Sequence, residues 1–179
     1  MNSIATIGYT SNLYARDQKT INYFEFQAML ADQVSDRLHW YATIHPREGD
    51  DACIDAAERL SLCVKAQLKN NDKILIIGGD LTACHEVSNW LGVNSVVGIE
   101  GIDLDEFNGF LSKINLADVF KQTPLKHGFT DAAIGIWWPN DSVSMVTSPL
   151  PKQLKILYVP ELVSKNHMKN LIQMTGEWL

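Results

Sequence analysis

The stretch KILIIGGDLTACHEV (Lys73–Val87) combines an apolar run, two glycines and a carboxylate with a helical pattern that follows at once. Ile74–Ile77 are apolar and mostly β-branched, which is typical of a strand buried on both faces. The spacing of the apolar residues after Gly78 and Gly79 predicts a helix over 81–91. A buried strand that leads directly into a helix is the repeating unit of α/β proteins.

The same alternation continues through the chain. Similar patterns predict strands at 5–9, 39–44, 73–78, 95–100, 132–138, 142–147 and 155–159, and helices at 21–34, 50–71, 81–91, 103–114 and 164–174. Strands that alternate with helices indicate a parallel sheet with crossover helices. We predict a TIM-barrel-like (β/α) barrel, shortened or incomplete, and the alternative is an open doubly wound parallel sheet.

Length and composition describe an ordinary globular chain. Its 179 residues suffice for one domain with a core, and 46% are hydrophobic and 20% charged. There is no repeat or linker, so we take 1–179 as a single α/β domain. The net charge of -6 argues against a nucleic-acid partner, because phosphate binding requires a basic surface.

No targeting signal is recognised in the sequence, and this favours a cytoplasmic location. The sequence has no run of 18 apolar residues, which argues against a membrane partner, and the N-terminus does not have the form of a signal peptide. Cys53, Cys63 and Cys84 are an odd number of cysteines without CxxC spacing. This pattern predicts packed, reduced thiols and a cytoplasmic protein.

A ligand site in either architecture would lie at the carboxyl ends of the strands. The side chains that follow the predicted strands there are Thr10, Ser11, Asn12, His45, Arg47, Glu48, Asp80, Thr82, Glu100, Asp103, Asn140 and Asp141, with the rings of Trp137 and Trp138. Since Trp137 and Trp138 point to opposite faces of a strand, one ring is expected in the core and the other is free to line a site.

The GGD turn has two interpretations. Gly78 and Gly79 would let the backbone approach a ligand closely, and Asp80 would accept a hydrogen bond from a ligand hydroxyl or ring N–H. Alternatively, Asp80 simply caps the helix 81–91. His45, His85 and Glu86 do not have the HExxH or HxH spacing of metal ligands, so we predict no metal site.

Three enzyme classes also carry GGD at a strand end. In ureohydrolases the pattern continues as GGDHS and DAHxD, whereas this chain reads GGDLT and EGIDL, so the metal ligands would be missing. Phosphofructokinases and NAD kinases need GGDG[ST], and Leu81 occupies the position of the required glycine.

Six segments resemble the methylenetetrahydrofolate reductase family in the same order. These are ATIGYTSNLYARD (5–17), YATIHPREGDD (41–51), NNDKILIIGGD (70–80), SVVGIEGIDLDEF (95–107), GFTDAAIGIWWPND (128–141) and VPELVSKNHMKNLIQMTG (159–176). The resemblance implies a flavin-dependent (β/α)8 barrel, and therefore an oxidoreductase of one-carbon metabolism that binds FAD and a folate.

The resemblance also implies site residues. Cofactor binding would fall to Thr6, Tyr41, Gly78, Gly79 and Asp80, and catalysis to Asp80, Glu100 and Asp103. Thr6 would lie at the flavin and Asp80 would contact pterin and flavin. Glu100 or Asp103 would serve as the general acid, because the family's first strand, with its essential Glu, has no counterpart here.

This departure leaves a second function open. The alternative expectation for a chain without the catalytic acid is a non-catalytic ligand-binding or assembly protein on the same scaffold. Its partner would be a folate- or nucleotide-like small molecule. The missing strand would expose sheet edges, which a homo-oligomer would cover.

Overall fold

The architecture is given by a computed structural model. It describes residues 3–10, 38–47, 52–78, 96–101, 103–113, 117–118, 124–138, 149–160 and 165–179. The strands are β1 (Ile4–Tyr9), β2 (Leu38–Ile44), β3 (Lys73–Ile77), β4 (Val97–Glu100), β5 (Leu125–His127), β6 (Ile134–Trp137) and β7 (Ile156–Val159). The helices are α1 (Ala52–Gln67), α2 (Leu104–Lys113) and α3 (Lys165–Trp178). In this part of the chain, no helix combines the length and the apolar character that a membrane crossing needs.

The seven strands form one sheet in the order β2-β1-β3-β7-β6-β4-β5, and every pair is parallel. A barrel would place successive strands side by side, whereas here β7 and β6 lie between β3 and β4. The predicted TIM-barrel-like fold is therefore wrong, and the alternative, an open doubly wound parallel sheet, is correct. Both folds repeat the same β-α unit, so the periodicity of the sequence does not distinguish them.

Apolar side chains cover both faces of the sheet. On β3, Ile74 and Ile76 belong to one core cluster, together with residues of α1 and α2. Leu75 and Ile77 belong to a second cluster, together with residues of α3. We call these the α1 face and the α3 face. This double cover explains why β3 reads as a continuous apolar run.

The direction in which a connection crosses the sheet determines the face of the sheet on which it packs. The connections β2-α1-β3 and β4-α2-β5 both run toward the β5 edge and pack on the α1 face. The connection from β5 to β6 runs the opposite way, and its residues Phe129 and Ala132 pack on the α3 face. This arrangement is the one that right-handed crossovers produce.

The connection from β5 to β6 (128–133) contains no helix and crosses directly over β4. A Cβ on Gly98 of β4 would lie 2.5 Å from the carbonyl oxygen of Gly128. A Cβ on Gly135 of β6 would lie 2.9 Å from the Phe129 ring. The short crossover therefore depends on two strand positions that have no side chain.

Lys73, at the start of β3, is a buried cation on the α3 face. Its Nζ donates to the carbonyl oxygen of Leu154 at 2.7 Å and to that of Lys152, and it lies 5.0 Å from the centre of the Trp178 ring. Burial, assisted by the charge of Lys155, lowers the pKa of Lys73 to about 8. The contacts join β3, the segment before β7 and the end of α3.

Most predicted elements coincide with observed ones, with small differences at their ends. Strand 73–78 ends one residue earlier, helix 50–71 is trimmed to Ala52–Gln67, and helix 164–174 extends to Trp178. β5 was missed because its three residues, LKH, carry no apolar period. The predicted strand 142–147 and the helices 21–34 and 81–91 lie outside the described residues.

Candidate functional site

The strand order places a topological switch point at the carboxyl ends of β4 and β6. From β4 the chain proceeds to β5 on one side, and from β6 it proceeds to β7 on the other side. Adjacent strands whose connections leave in opposite directions form a topological switch point, where open α/β sheets bind ligands. β1 and β3 form a second switch point by the same criterion.

Glu100 is the last residue of β4 and therefore lies at the first of these switch points. Its register partner on β6 is Trp137, so both side chains point to the α3 face. The Oε1 atom of Glu100 lies 3.8 Å from the position that a Cβ on Gly128 would occupy. The carboxyl group therefore stands between the end of β5 and the end of β6.

The environment of Glu100 disfavours its charge. The residue is half-buried, and burial raises the pKa of its carboxyl group. Among the described residues no cationic side chain forms an ion pair with it. A desolvated carboxyl group without a counter-ion is a common feature of functional sites.

Glycines in left-handed backbone conformations follow three strands at this edge. They are Gly78 after β3 (φ 87°), Gly101 after β4 (φ 90°) and Gly128 after β5 (φ 76°). A Cβ on Gly101 would overlap the carbonyl oxygen of Trp138. The backbone after β4 thus packs directly on the backbone after β6, where a side chain at position 101 would not fit.

Asp103, the second carboxylate predicted after this strand, caps α2. Its Oδ1 accepts a hydrogen bond of 2.7 Å from the backbone N–H of Glu106, and the residue is exposed. This is the ordinary N-cap arrangement, which satisfies a free N–H at the helix start. The structure therefore gives Asp103 a structural contact, whereas the carboxyl group of Glu100 has no hydrogen bond of this kind within the described part of the chain.

Trp137 and Trp138 point to opposite faces, as predicted, but both rings are buried. Trp138 packs edge-on against Phe107 and Phe110 on the α1 face, with ring centroids 6.5 and 5.4 Å apart. Trp137 lies on the α3 face, and its indole Nε1 has no hydrogen-bond partner among the described residues.

His167 is not among the residues predicted from the sequence. This buried residue of α3 packs edge-on against Trp137, with ring centroids 6.4 Å apart. His167 shares a helix face with Leu171, Met174 and Trp178, at the helical spacings i+4, i+7 and i+11. A polar residue on an otherwise apolar face was the signal that would have identified it.

The predicted cofactor residues Thr6 and Tyr41 do not lie together with Glu100. Thr6 is buried in the middle of β1, four strand spacings from β4, or about 19 Å. Tyr41 is 50% exposed on the edge strand β2, where the register shift between Thr6 and Ile7 leaves it without a partner on β1. Gly79 and Asp80 lie outside the described residues, so both interpretations of Asp80 stay predictions.

Polar residues after β1 and β2 form a separate cluster. Thr10 Oγ1 lies 2.9 Å from His45 Nδ1. Arg59 of α1 donates to the carbonyl oxygen of His45 and, at 2.8 Å, to Asp55. These contacts attach the end of β2 to α1, so this part of the predicted rim has a structural explanation.

Comparison with known proteins supports the fold but names no family. No family model matches the chain, and no curated protein matches it. Among solved structures, the crystal structure of arginase from Bacillus subtilis is similar, with a TM-score of 0.57 and 12% identity over 99% of this chain and 98% of that one. At this identity the likeness concerns the fold alone, which is an arginase-like α/β fold.

The resemblance to methylenetetrahydrofolate reductases is therefore wrong. So are the inferences made from it: a folate-dependent oxidoreductase of one-carbon metabolism, and a non-catalytic protein on the reductase scaffold. The six matching segments are strand-and-turn sequences, which many α/β proteins share. FAD binding is not tested by this finding, but it loses the argument on which it was based.

A ureohydrolase-like fold raises the question of a metal. In the DAHxD pattern, Glu100 corresponds to the first Asp, but Ile102 and Leu104 occupy the positions of the His and the second Asp. Over the described ranges, no group of three His, Cys, Asp or Glu side chains could hold a metal ion. These residues do not fit the ureohydrolase metal site, and we derive no metal-dependent step.

Proposed function

We propose that this protein binds a small molecule at the switch point formed by the carboxyl ends of β4 and β6, and that the ligand donates a hydrogen bond to Glu100. The observation that carries the proposal is the carboxyl group itself: half-buried, with its pKa raised by burial, and without a cationic partner among the described residues. Such an acceptor has lost part of its hydration, and no side chain among the described residues donates to it in exchange.

The surroundings of Glu100 support a ligand. The carboxyl group lies at a switch point of the sheet, and the position of a Cβ on the neighbouring Gly128 has only Glu100 Oε1, at 3.8 Å, near it. A donor on the ligand would return the hydrogen bond that the carboxylate lost on burial. Hydrogen bonds to charged groups contribute about 1.5–3 kcal/mol each, enough to orient a small molecule.

The likeness to an arginase adds only a fold-level analogy. The residues that distinguish the ureohydrolase pattern are absent at Leu81, Ile102 and Leu104. The proposal therefore concerns binding by Glu100, without metal-assisted hydrolysis.

A ligand panel tests this function on the full-length chain. Amines, guanidines, amides and nucleosides are screened by thermal shift at about pH 7, because a ligand that binds the folded state raises the Tm. We expect at least one donor-bearing ligand to stabilise the wild type and Glu58→Gln, whose carboxylate is exposed on α1, but not Glu100→Gln. A ligand that stabilises Glu100→Gln equally would contradict the proposal.

A further inference from the structure

The side chain of Glu100 has three neighbouring positions on the α3 face of the sheet. One is Gly98, two residues earlier on the same strand, because alternate residues of a strand point to the same face. The second is Trp137, the register partner on β6, and the third is Gly128, the residue that follows β5. These three positions determine from which side of the sheet a ligand can reach the carboxyl group.

Protein atoms fill two of the three positions. A Cβ on Gly98 would lie 2.5 Å from the carbonyl oxygen of Gly128 and 3.0 Å from the Cβ of Ala132. The side chain of Trp137 is fully buried. The carboxyl group of Glu100 therefore has packed protein on its β6 side and toward the amino edge of the sheet.

The third position, beside Gly128, is open. Apart from the chain neighbours of Gly128, the only described atom within 4 Å of its Cβ position is Oε1 of Glu100, at 3.8 Å. The left-handed conformation of Gly128 (φ 76°) explains why this residue is a glycine, but it does not fill the space beside it. Gly128 and Glu100 are both half-buried, so solvent reaches them from this side.

From this arrangement we infer that the ligand reaches Glu100 on its β5 side and lies against the bare Cα of Gly128, which makes Gly128 a specificity-determining residue. The inference rests on the proposed function. A Cβ at position 128 would meet Glu100 Oε1 at an ordinary contact distance. It would therefore leave the carboxyl group in place and occupy the space that the ligand needs.

Carbodiimide coupling of ethylamine to the full-length protein measures access to Glu100 directly. The carbodiimide converts the protonated carboxyl group into an O-acylisourea, and ethylamine then displaces the urea and leaves an amide. Peptide mass spectrometry follows the rate at each carboxyl group. Glu58, which is exposed on α1, is the internal control for reagent activity.

Two variants add a side chain beside Glu100, and one adds it elsewhere. Gly128→Ala adds the smallest side chain, and Gly128→Asn is the second variant because asparagine adopts the left-handed conformation more readily than alanine. Gly109→Ala is the matched control. Its Cβ position is also open, and it lies on α2, which packs on the opposite face of the sheet from Glu100.

We expect both Gly128 variants to slow the labelling of Glu100 about 10-fold or more, and Gly109→Ala to leave this rate unchanged. The rate at Glu58 should be the same in all of these proteins. A partly unfolded variant would expose Glu100 and accelerate its labelling, so a loss of stability does not imitate the expected result.

Binding is then measured by thermal shift with methylamine, methylguanidine, acetamide and uridine, which represent the four ligand classes of the panel. We expect the probe that stabilises the wild type through Glu100 to bind both Gly128 variants about 10-fold or more weakly. Its affinity for Gly109→Ala should equal that for the wild type.

The outcomes separate the two proposals. If a probe depends on Glu100 but binds the Gly128 variants as tightly as the wild type, the inference is overturned and the proposed function stands. Labelling of Glu100 at the wild-type rate in the Gly128 variants also overturns the inference alone. If no ligand of the panel depends on Glu100, both are overturned.

Discussion

At the scale of single residues, Glu100 is expected to reduce stability in the absence of ligand. Its pKa is raised in the folded state, so the folded protein holds this proton more tightly, and stability falls as pH rises from the usual carboxyl value of 4.5 through the raised one. Glu100→Gln keeps the shape and removes the charge. We expect the variant to be more stable than the wild type at about pH 7.

Urea denaturation at several pH values measures this difference. The advantage of Glu100→Gln should shrink toward about pH 4, where the wild-type carboxyl group is itself protonated. Glu58→Gln, at an exposed position of α1, should show no comparable gain. A Glu100→Gln protein that is less stable at neutral pH would mean that the carboxylate already has a favourable partner.

Lys73 is expected to change stability with pH in the opposite direction to Glu100. Its pKa is lowered from 10.5 to about 8 in the folded state, so between these values the unfolded chain binds more protons. Stability is therefore expected to rise with pH across this window, by an amount on the order of 1–3 kcal/mol. Lys73→Met should abolish this rise and also destabilise the protein, because two carbonyl oxygens lose their donor.

Chemical denaturation between about pH 7.5 and 10 provides the measurement. Lys69→Met is the control, since Lys69 is exposed just after α1. This variant should retain the wild-type slope. An unchanged slope in Lys73→Met would show that other groups cause the pH dependence.

At the scale of elements, the glycines under the 128–133 crossover should be intolerant of a methyl group. Gly98→Ala would place its Cβ 2.5 Å from the carbonyl oxygen of Gly128, and that backbone cannot retreat without moving the connection. We expect a loss of about 2 kcal/mol or more in the free energy of unfolding, as for overpacked cores.

Gly109→Ala is the matched comparison, because this exposed glycine of α2 has nothing within 4 Å of its Cβ position. The same substitution there should stabilise the protein by up to about 1 kcal/mol through higher helix propensity. Urea denaturation of the two variants measures the difference between their free energies of unfolding. Equal changes in the free energy of unfolding would show that the 128–133 crossover is not closely packed on β4.

The elements also show why β3 and β7 were predicted from the sequence and β5 was not. β3 and β7 are buried on both faces, so their sequences are continuous apolar runs that predict strands. β5 has only Leu125, Lys126 and His127 at an edge of the sheet, so no apolar period marks it. Its existence follows from pairing with β4, a tertiary fact.

At the scale of the whole molecule, the described residues that were expected to bind a cofactor lie apart from the glutamate that was expected to act in catalysis. Thr6 and Tyr41 lie on β1 and β2, whereas Glu100 lies on β4. Glu100 lies at the end of β4, where the strand predicted over 95–100 ends, but the sequence carried no information about which strand ends are neighbours. Homo-oligomer formation and a cytoplasmic location stay predictions.

The sequence by itself determined the local structure: parallel strands covered on both faces, helices between them, and glycines and carboxylates where strands end. These features depend on residues close in the chain, through periodicity and backbone freedom. Only the tertiary structure decided the strand order and placed Glu100 beside Trp137 and Trp137 against His167. Strand order depends on the direction of each crossover, which results from packing of the whole sheet and leaves no period in the sequence.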